Sequence, residues 1–249
     1  MSSLQNQRIL VTGGSRGIGA AVVRQLASAG AQVGLHFGKS RKNAQQLHEN
    51  FPDNIHLLQA DLSLPHEVER LWKSASERLG GLDTLVNNAG IAIGSALEAD
   101  SWLSDWQKTM QVNLTATAQL SRRAVQHFSE KKGGRLIFVA SRAAARGDTP
   151  DYLAYAASKA GMTALAKSIA RGYGKQNIKA FVLAPGFTET EMAQDFIQKY
   201  GKDFVLDDLA LPTLTQPDDI ANWISFLASG KGDHATGCTI DVNAGSYVR

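Results

Sequence analysis

Short apolar runs alternate with longer amphipathic stretches from one end of the chain to the other. Arg8 to Thr12 is nearly all apolar and ends in glycines, as a strand buried on both faces of a parallel sheet does. Beyond the glycines, Ile18, Val22 and Leu26 share one helical face, and Gly30 marks the stop. Val33, Leu35 and Phe37 then alternate along a second strand, Ala31 to Phe37. The pattern predicts further strands at Asn54 to Asp61, Asp83 to Val86, Arg135 to Ala140, Ile178 to Leu183 and Thr239 to Val242. Between them it predicts helices at Pro65 to Leu79, Ser101 to Lys131, Tyr152 to Tyr173 and Gln216 to Ala228. No linker, low-complexity segment or short-period repeat interrupts the series. The expectation is one α/β domain over residues 1–249, a doubly wound, mostly parallel sheet with helices on both faces. Residues 187–215 are mixed and rich in turn formers, and read as a lid-like excursion over a site.

In such sheets ligands bind outside the carboxyl ends of the strands. The residues gathered there are unusual. Gly13, Gly14, Ser15, Arg16, Gly17, Ile18 and Gly19 lie between a strand and a helix start, where bare N–H groups and the helix dipole can hold a pyrophosphate. Taken alone, the glycines also fit a tight turn that merely relieves backbone strain. Asn88 to Gly90, Ser141 and Pro185-Gly186 follow other strands. At the end of the second strand a dinucleotide fold that takes NAD usually places a carboxylate for the adenosine ribose. Here no Asp or Glu occurs from Ala20 through His48, and Lys39, Ser40, Arg41 and Lys42 stand there instead. A solvated basic loop is the plain alternative; the missing carboxylate favours a ribose 2′-phosphate.

Tyr155 and Lys159 sit one helical turn apart on one face. An ammonium near a phenol stabilises the phenolate and is expected to lower its pKa, which suits a general acid/base for a carbonyl or alcohol. Alone the pair is weak, since a core tyrosine beside a solvated lysine looks the same. The surrounding residues change the odds.

Composition narrows the rest. Apolar residues at 43% support a sizeable core, and the net charge of +3 comes from scattered basic groups rather than a nucleic-acid-binding stripe. Cys238 is the sole cysteine, so no intrachain disulfide forms, which fits a reducing compartment. No apolar run is long enough to span a membrane, the start lacks a secretory pattern, and the histidines show no metal-ligand spacing. A cytoplasmic protein without a metal site, a nucleic-acid partner or a membrane partner is expected.

With these motifs assembled, the chain resembles the short-chain dehydrogenase/reductase family in its single-domain branch, from Arg8 to the C-terminus. The carriers are Thr12 to Gly19, Asn87-Asn88-Ala89-Gly90, Asn113, Ser141, Tyr155/Lys159 and Pro185-Gly186 through Thr190. The resemblance implies NADP(H)-dependent reduction of a carbonyl or oxidation of an alcohol. Tyr155 would be the acid/base, Lys159 would lower its pKa and bind the nicotinamide ribose, Ser141 would bond the substrate oxygen, and Asn113 would hold a relay water. Gly13, Ser15, Arg16, Gly17, Ile18 and Gly19 would take the pyrophosphate side, with Lys39, Ser40 and Arg41 near the 2′-phosphate. Asp61 and Leu62 would meet the adenine, and Asn88, Ala89 and Gly90 would border the adenosine end. Pro185, Gly186, Thr188 and Thr190 would secure the carboxamide.

Each of these residues also has a plainer reading. Ser141 suits a strand-end cap, Asn113 a helix bend, and Thr190 an N-cap ahead of Glu191. The chain also departs from the family. Ser141 to Tyr155 is one residue wider than the commoner spacing, Tyr152 is a rival tyrosine with Ala156 one turn on, and Phe181 stands where Asn is frequent. The likeness is closest to 3-oxoacyl-carrier-protein reductases. Lys132 suits docking of an acidic carrier, but Gln176 stands where an arginine is expected, which counts against a carrier-protein partner. The helix after Tyr155 carries small apolar residues on more than one face, so a homo-oligomer is expected, a tetramer by resemblance. A non-catalytic NADP-binding regulator or scaffold is the competing class, since fold does not fix function.

Overall fold

The computed structural model describes residues 3–248. In chain order its elements are β1 (Arg8–Val11), α1 (Gly17–Ser28), β2 (Gln32–Phe37), α2 (Arg41–Asn50), β3 (Ile55–Gln59), α3 (Pro65–Leu79) and β4 (Thr84–Asn87). Then come α4 (Trp102–Met110), a π-turn at Gln111–Thr115, α5 (Ala116–Glu130), β5 (Gly134–Val139), α6 (Ala143–Arg146), α7 (Leu153–Tyr173) and β6 (Ile178–Pro185). The chain closes with α8 (Glu191–Tyr200), α9 (Lys202–Leu206), α10 (Pro217–Ala228) and β7 (Thr239–Val242).

The strands form one sheet in the order β3-β2-β1-β4-β5-β6-β7, and every pairing is parallel. The order reverses between β1 and β4, so the crevice of the doubly wound sheet opens at the carboxyl ends of those two strands. Each face of the sheet has its own apolar layer. On one side Leu10, Leu85, Leu136 and Val182 pack with Leu71, Leu120, Phe128 and Met162. On the other Ile9, Val11, Val33 and Val86 pack with Val22, Leu26, Ile220 and Ile224. Phe181, at the position where Asn is frequent in the family, is fully buried in this second layer and serves packing.

Two departures from expectation have physical causes. Of the basic stretch after β2, Arg41 and Lys42 open a helix that the pattern did not predict, while Lys39 and Ser40 form the turn before it. In α2 only Ala44 is fully buried, with Leu47 packed on the core edge, so it shows too few apolar positions for a helical stripe. The predicted helix Ser101 to Lys131 is helical but not uniform, because a π-turn at Gln111–Thr115 interrupts it around Asn113. Residues 187–215 hold α8 and α9, and their two ends meet through a parallel bridge between Thr188 and Thr215. The side chains of Met192, Phe196 and Phe204, expected to form an apolar wall, lie outside the described residues. Among the described residues no helix is long and apolar enough to cross a membrane.

Candidate active site

The glycine-rich turn is built by exclusion. Gly13 has φ +65°, and a Cβ there would stand 2.9 Å from Ala89 Cα. A Cβ at Gly19 would collide with the Gly13 carbonyl, and Gly17 has φ +51°. Only residues without a side chain fit this path. It ends on α1, whose N-cap residue Arg16 makes no side-chain cap bond and whose first turn carries no acidic residue. Among the described residues, the first N–H groups of α1 have no side-chain acceptor, and its first turn carries no carboxylate of its own, which leaves the dipole end free for a pyrophosphate.

Thr12, Asn88 and His36 hold this turn, and of these only His36 lies outside the motifs read from the sequence. The Thr12 hydroxyl accepts from Asn88 N and Ala89 N, both at 3.0 Å, while Asn88 Nδ2 donates to Thr12 O and Gly13 O at 2.9 and 3.1 Å. The Asn88 side chain thus staples β4 to the glycine turn. His36 is buried at the end of β2, where Nδ1 accepts from Gly13 N at 3.1 Å and Nε2 faces Ala60 O at 3.1 Å. Burial pushes its pKa down to about 4, so it stays neutral and donates from Nε2 near pH 7. A lone histidine inside an otherwise apolar strand was the available signal.

The basic segment lies as expected at the carboxyl end of β2. Ser40 stands at the N-cap position of α2, and Arg41 donates to Gln59 Oε1 at 3.3 Å. Lys39 lies near enough to Asp61 for its charge to help hold that carboxyl below its usual range. The larger cause is local, since Asp61 Oδ1 accepts from Ser63 N and Oγ at 2.9 and 2.7 Å. Leu62 beside it is buried. Arg16 Nη1 meets Glu191 Oε2 at 2.7 Å, and a Cβ at Gly17 would touch Thr190 Cγ2 at 3.1 Å. The head of α8 therefore sits directly on the glycine turn. Thr190 accepts from Ala193 N at 3.4 Å, the N-cap bond that its plainer reading describes, and donates to Thr188 O at 3.2 Å.

Ser141, Tyr155, Lys159 and Asn113 come together beyond β5 and β4. Lys159 is 3% exposed, and its Nζ donates to Val139 O at 2.8 Å. That ammonium lies 5.7 Å from the Tyr155 ring centroid, and a Cβ at Gly90 would be 3.3 Å from it. Asn113 is fully buried, with Oδ1 accepting from Ile91 N at 2.8 Å and Nδ2 donating to Ile91 O and Ser158 Oγ at 2.9 and 3.0 Å. Its side chain is thus committed to fastening α7 and the loop after β4 to the π-turn. Tyr152, the rival tyrosine, lies against Gly94, where a Cβ would be 3.3 Å from its hydroxyl.

One electrostatic expectation is reversed. The crowded surroundings of the Tyr155 hydroxyl push its pKa up to about 12; the Ser141 hydroxyl beside it pulls down, and the negative charge of Asp148 adds to the rise. Burial also pushes Lys159 down to about 8. Desolvation of the phenol outweighs the hydrogen bond from Ser141. The phenol is therefore held protonated near pH 7, the state a proton donor needs.

The comparisons with known proteins agree with this geometry. The sequence model of the family described as short chain dehydrogenase matches residues 7–201. Nodulation protein G of Rhizobium meliloti (strain 1021) is 36% identical over 245 residues, covering 98% of both chains. The 3-oxoacyl-[acyl-carrier-protein] reductase FabG of Vibrio cholerae is 33% identical over 246 residues, covering 99% of both. The crystal structure of a short chain dehydrogenase from Burkholderia cenocepacia J2315 in complex with NADP superimposes with a TM-score of 0.91 at 33% identity, covering 98% of this chain and 99% of that one. With the glycine turn, the tyrosine–lysine pair and the all-parallel sheet in place, the chain belongs to the short-chain dehydrogenase/reductase family of oxidoreductases.

Proposed function

We propose that the protein reduces a carbonyl to an alcohol, or runs the reverse, with NADP(H) as hydride carrier and Tyr155 as proton donor and acceptor. The observation that carries this reading is the convergence of Ser141, Tyr155 and Lys159 beside a turn that only glycines fit. When bound, the cofactor supplies the hydride to the carbonyl carbon. Tyr155 gives its proton to the carbonyl oxygen, and Ser141 holds that oxygen by a hydrogen bond. Lys159 holds the nicotinamide ribose and the proton path below the phenol. Asn113 acts as a positioning residue through Ile91 and Ser158. Thr188 and Thr190 would secure the carboxamide, with Pro185 and Gly186 also binding the cofactor. A binding-only scaffold has no use for a buried, destabilising lysine. NADPH consumption against ketoacyl thioesters, cyclic ketones, keto sugars and quinones tests the reading; no turnover of any carbonyl despite NADPH binding would overturn it.

For the 2′-phosphate, Lys39, Ser40 and Arg41 stand at the end of β2, and Arg16 reaches from the glycine turn. The Arg16–Glu191 pair is exposed at 58% and 62% of its side chains, so it is easily exchanged for a phosphate. Charge-assisted bonds contribute roughly 1.5–3 kcal/mol each, so R16A/R41A should weaken NADPH binding by about 10² or more and leave NADH nearly unchanged. E191Q, which removes the competitor for Arg16, should tighten NADPH binding a few-fold. A wild-type enzyme that used NADH as efficiently as NADPH at low salt would contradict this assignment.

The substrate reads better as a free small molecule than as a carrier-bound acyl chain. Gln176, at the position where an arginine is expected for carrier docking, is neutral and accepts from Ser129 Oγ at 2.7 Å. Assembly is proposed as a tetramer. Trp223 and Phe226 of α10 stand 40% exposed in edge contact at 6.1 Å, and Ala164 on α7 is uncovered. Light scattering should return a multiple of 26.7 kDa; a monomer mass at micromolar concentration would end the idea.

A further inference from the structure

The loop after β5 carries two arginines that the hydride and proton chemistry leaves without a task. Arg142 follows Ser141 directly, its backbone N–H donates to Pro185 O at 2.9 Å, and the residue is 7% exposed. Its guanidinium lies 4.5 Å above the Phe187 ring, and Nη1 donates to Asp208 Oδ2 at 2.5 Å. Arg146 Nη1 donates to the two oxygens of the same carboxylate at 3.2 and 2.9 Å, and to Ser246 O at 3.2 Å. One carboxylate, contributed by the segment just after α9, therefore serves two guanidiniums. Asp148 accepts from Thr149 N and makes no ion pair with either arginine among the described residues, although its charge lies near enough to act on both.

A guanidinium presents a rigid fork of N–H donors suited to gripping a carboxylate with two parallel bonds. On Arg142 only Nη1 is engaged among the described residues, so Nε and Nη2 are left over. Neither of these two nitrogens is among the buried atoms that lack a partner, so both stay within reach of solvent and open to an incoming anion, while the engaged nitrogen shares its carboxylate with Arg146. Burial lowers the Arg142 pKa against the opposing pull of Asp208. The place is as telling as the charge. Arg142 is bonded to Ser141 on one side, stacks on Phe187 just beyond Gly186, and reaches the far end of the 187–215 excursion.

We propose that Arg142, with Arg146 behind it, recognises a carboxylate on the substrate, so that the compound reduced is an oxo acid rather than a neutral ketone. The inference deepens the carbonyl-reductase reading and rests on it. The competing role is a clamp, in which the two arginines and Asp208 merely tie the excursion to the catalytic loop. The two roles predict different behaviour at Asp208. A receptor loses a competing anion in D208N and gains grip on the substrate, whereas a clamp is damaged by D208N and R142Q alike.

The test is NADPH oxidation with a graded series of short oxo acids, each beside its own methyl ester. The wild type should favour the acid in kcat/KM by about 10–10² for the chain length that spans Ser141 and Arg142. R142Q should collapse the acid-to-ester ratio towards one, and D208N should raise it. A wild-type ratio near one along the whole series would overturn the proposal, as would R142Q and D208N lowering acid and ester together. If no ketone of any kind consumes NADPH although NADPH binds, the reductase reading itself has failed. Calorimetric binding of the hydroxy acids to the NADP⁺ complex then decides the anion site separately: salt-sensitive binding lost in R142Q sustains it, and no binding removes it.

Discussion

Tyr155→Phe should cut carbonyl reduction by about 10²–10⁴ while NADPH binding changes no more than a few-fold, because the ring still packs and only the hydroxyl proposed as proton donor is gone. The structure sharpens this into a pH prediction. With the phenol pushed up to about 12, Tyr155 stays protonated across the neutral range, so reduction by the wild type should show no loss attributable to its ionisation there. Alcohol oxidation needs the phenolate, and its rate should climb with pH throughout the alkaline range that the protein tolerates. Stopped-flow hydride transfer in both directions checks the pair of expectations. Near-wild-type reduction by the Phe variant would move the acid/base role to another group, with Tyr152 beside Gly94 next in line.

How much of this was legible in the sequence depended on the kind of interaction. Strands buried on both faces announce themselves as apolar runs, and β1, β4, β5 and β6 fall where the runs are, within a few residues at their ends. The glycine turn and the tyrosine–lysine pair are local in sequence, so spacing alone brings their parts together. What escaped lacked a period or was distant in the chain. The α2 helix shows too few apolar residues to make a stripe. The His36 contact with Gly13 depends on β2 lying beside β1 in a particular register, which no spacing rule states. Arg142 and Asp208 meet across 66 residues, and Arg146 and Ser246 across 100. The raised phenol pKa was missed for a related reason. A tyrosine–lysine spacing reports a neighbouring charge, but the desolvation that raises the phenol comes from the whole fold.

Lys159→Met should separate function from stability in opposite directions. Activity is expected to fall by about 10² or more, since the ammonium proposed to hold the ribose and the proton path is lost. Stability without added cofactor should rise. Lys159 is held at about 8 in the folded protein against 10.5 for an ordinary lysine, so at pH 7 the folded state bears the cost of a buried charge, about 3 kcal/mol for a shift of that size. Losing the Nζ to Val139 O bond at 2.8 Å offsets part of the gain, leaving a net of about 1–2 kcal/mol. For a chain of this length that is a Tm increase of about 2–8 °C. The sign follows from proton counting. Below about 8 both states carry the proton and the full penalty is present. Between about 8 and 10.5 the unfolded chain binds more protons than the folded one, so wild-type stability from this group rises with pH. The advantage of the Met variant should therefore be greatest at neutral pH and shrink steadily over that window. Taking the difference between the two proteins at each pH removes the other titrating groups, including Tyr155, whose own contribution has the opposite sign above about 10. Denaturant titrations from neutral pH up to 10.5 measure it, and a Met variant less stable than the wild type at pH 7 would show that Lys159 is not a destabilising charge.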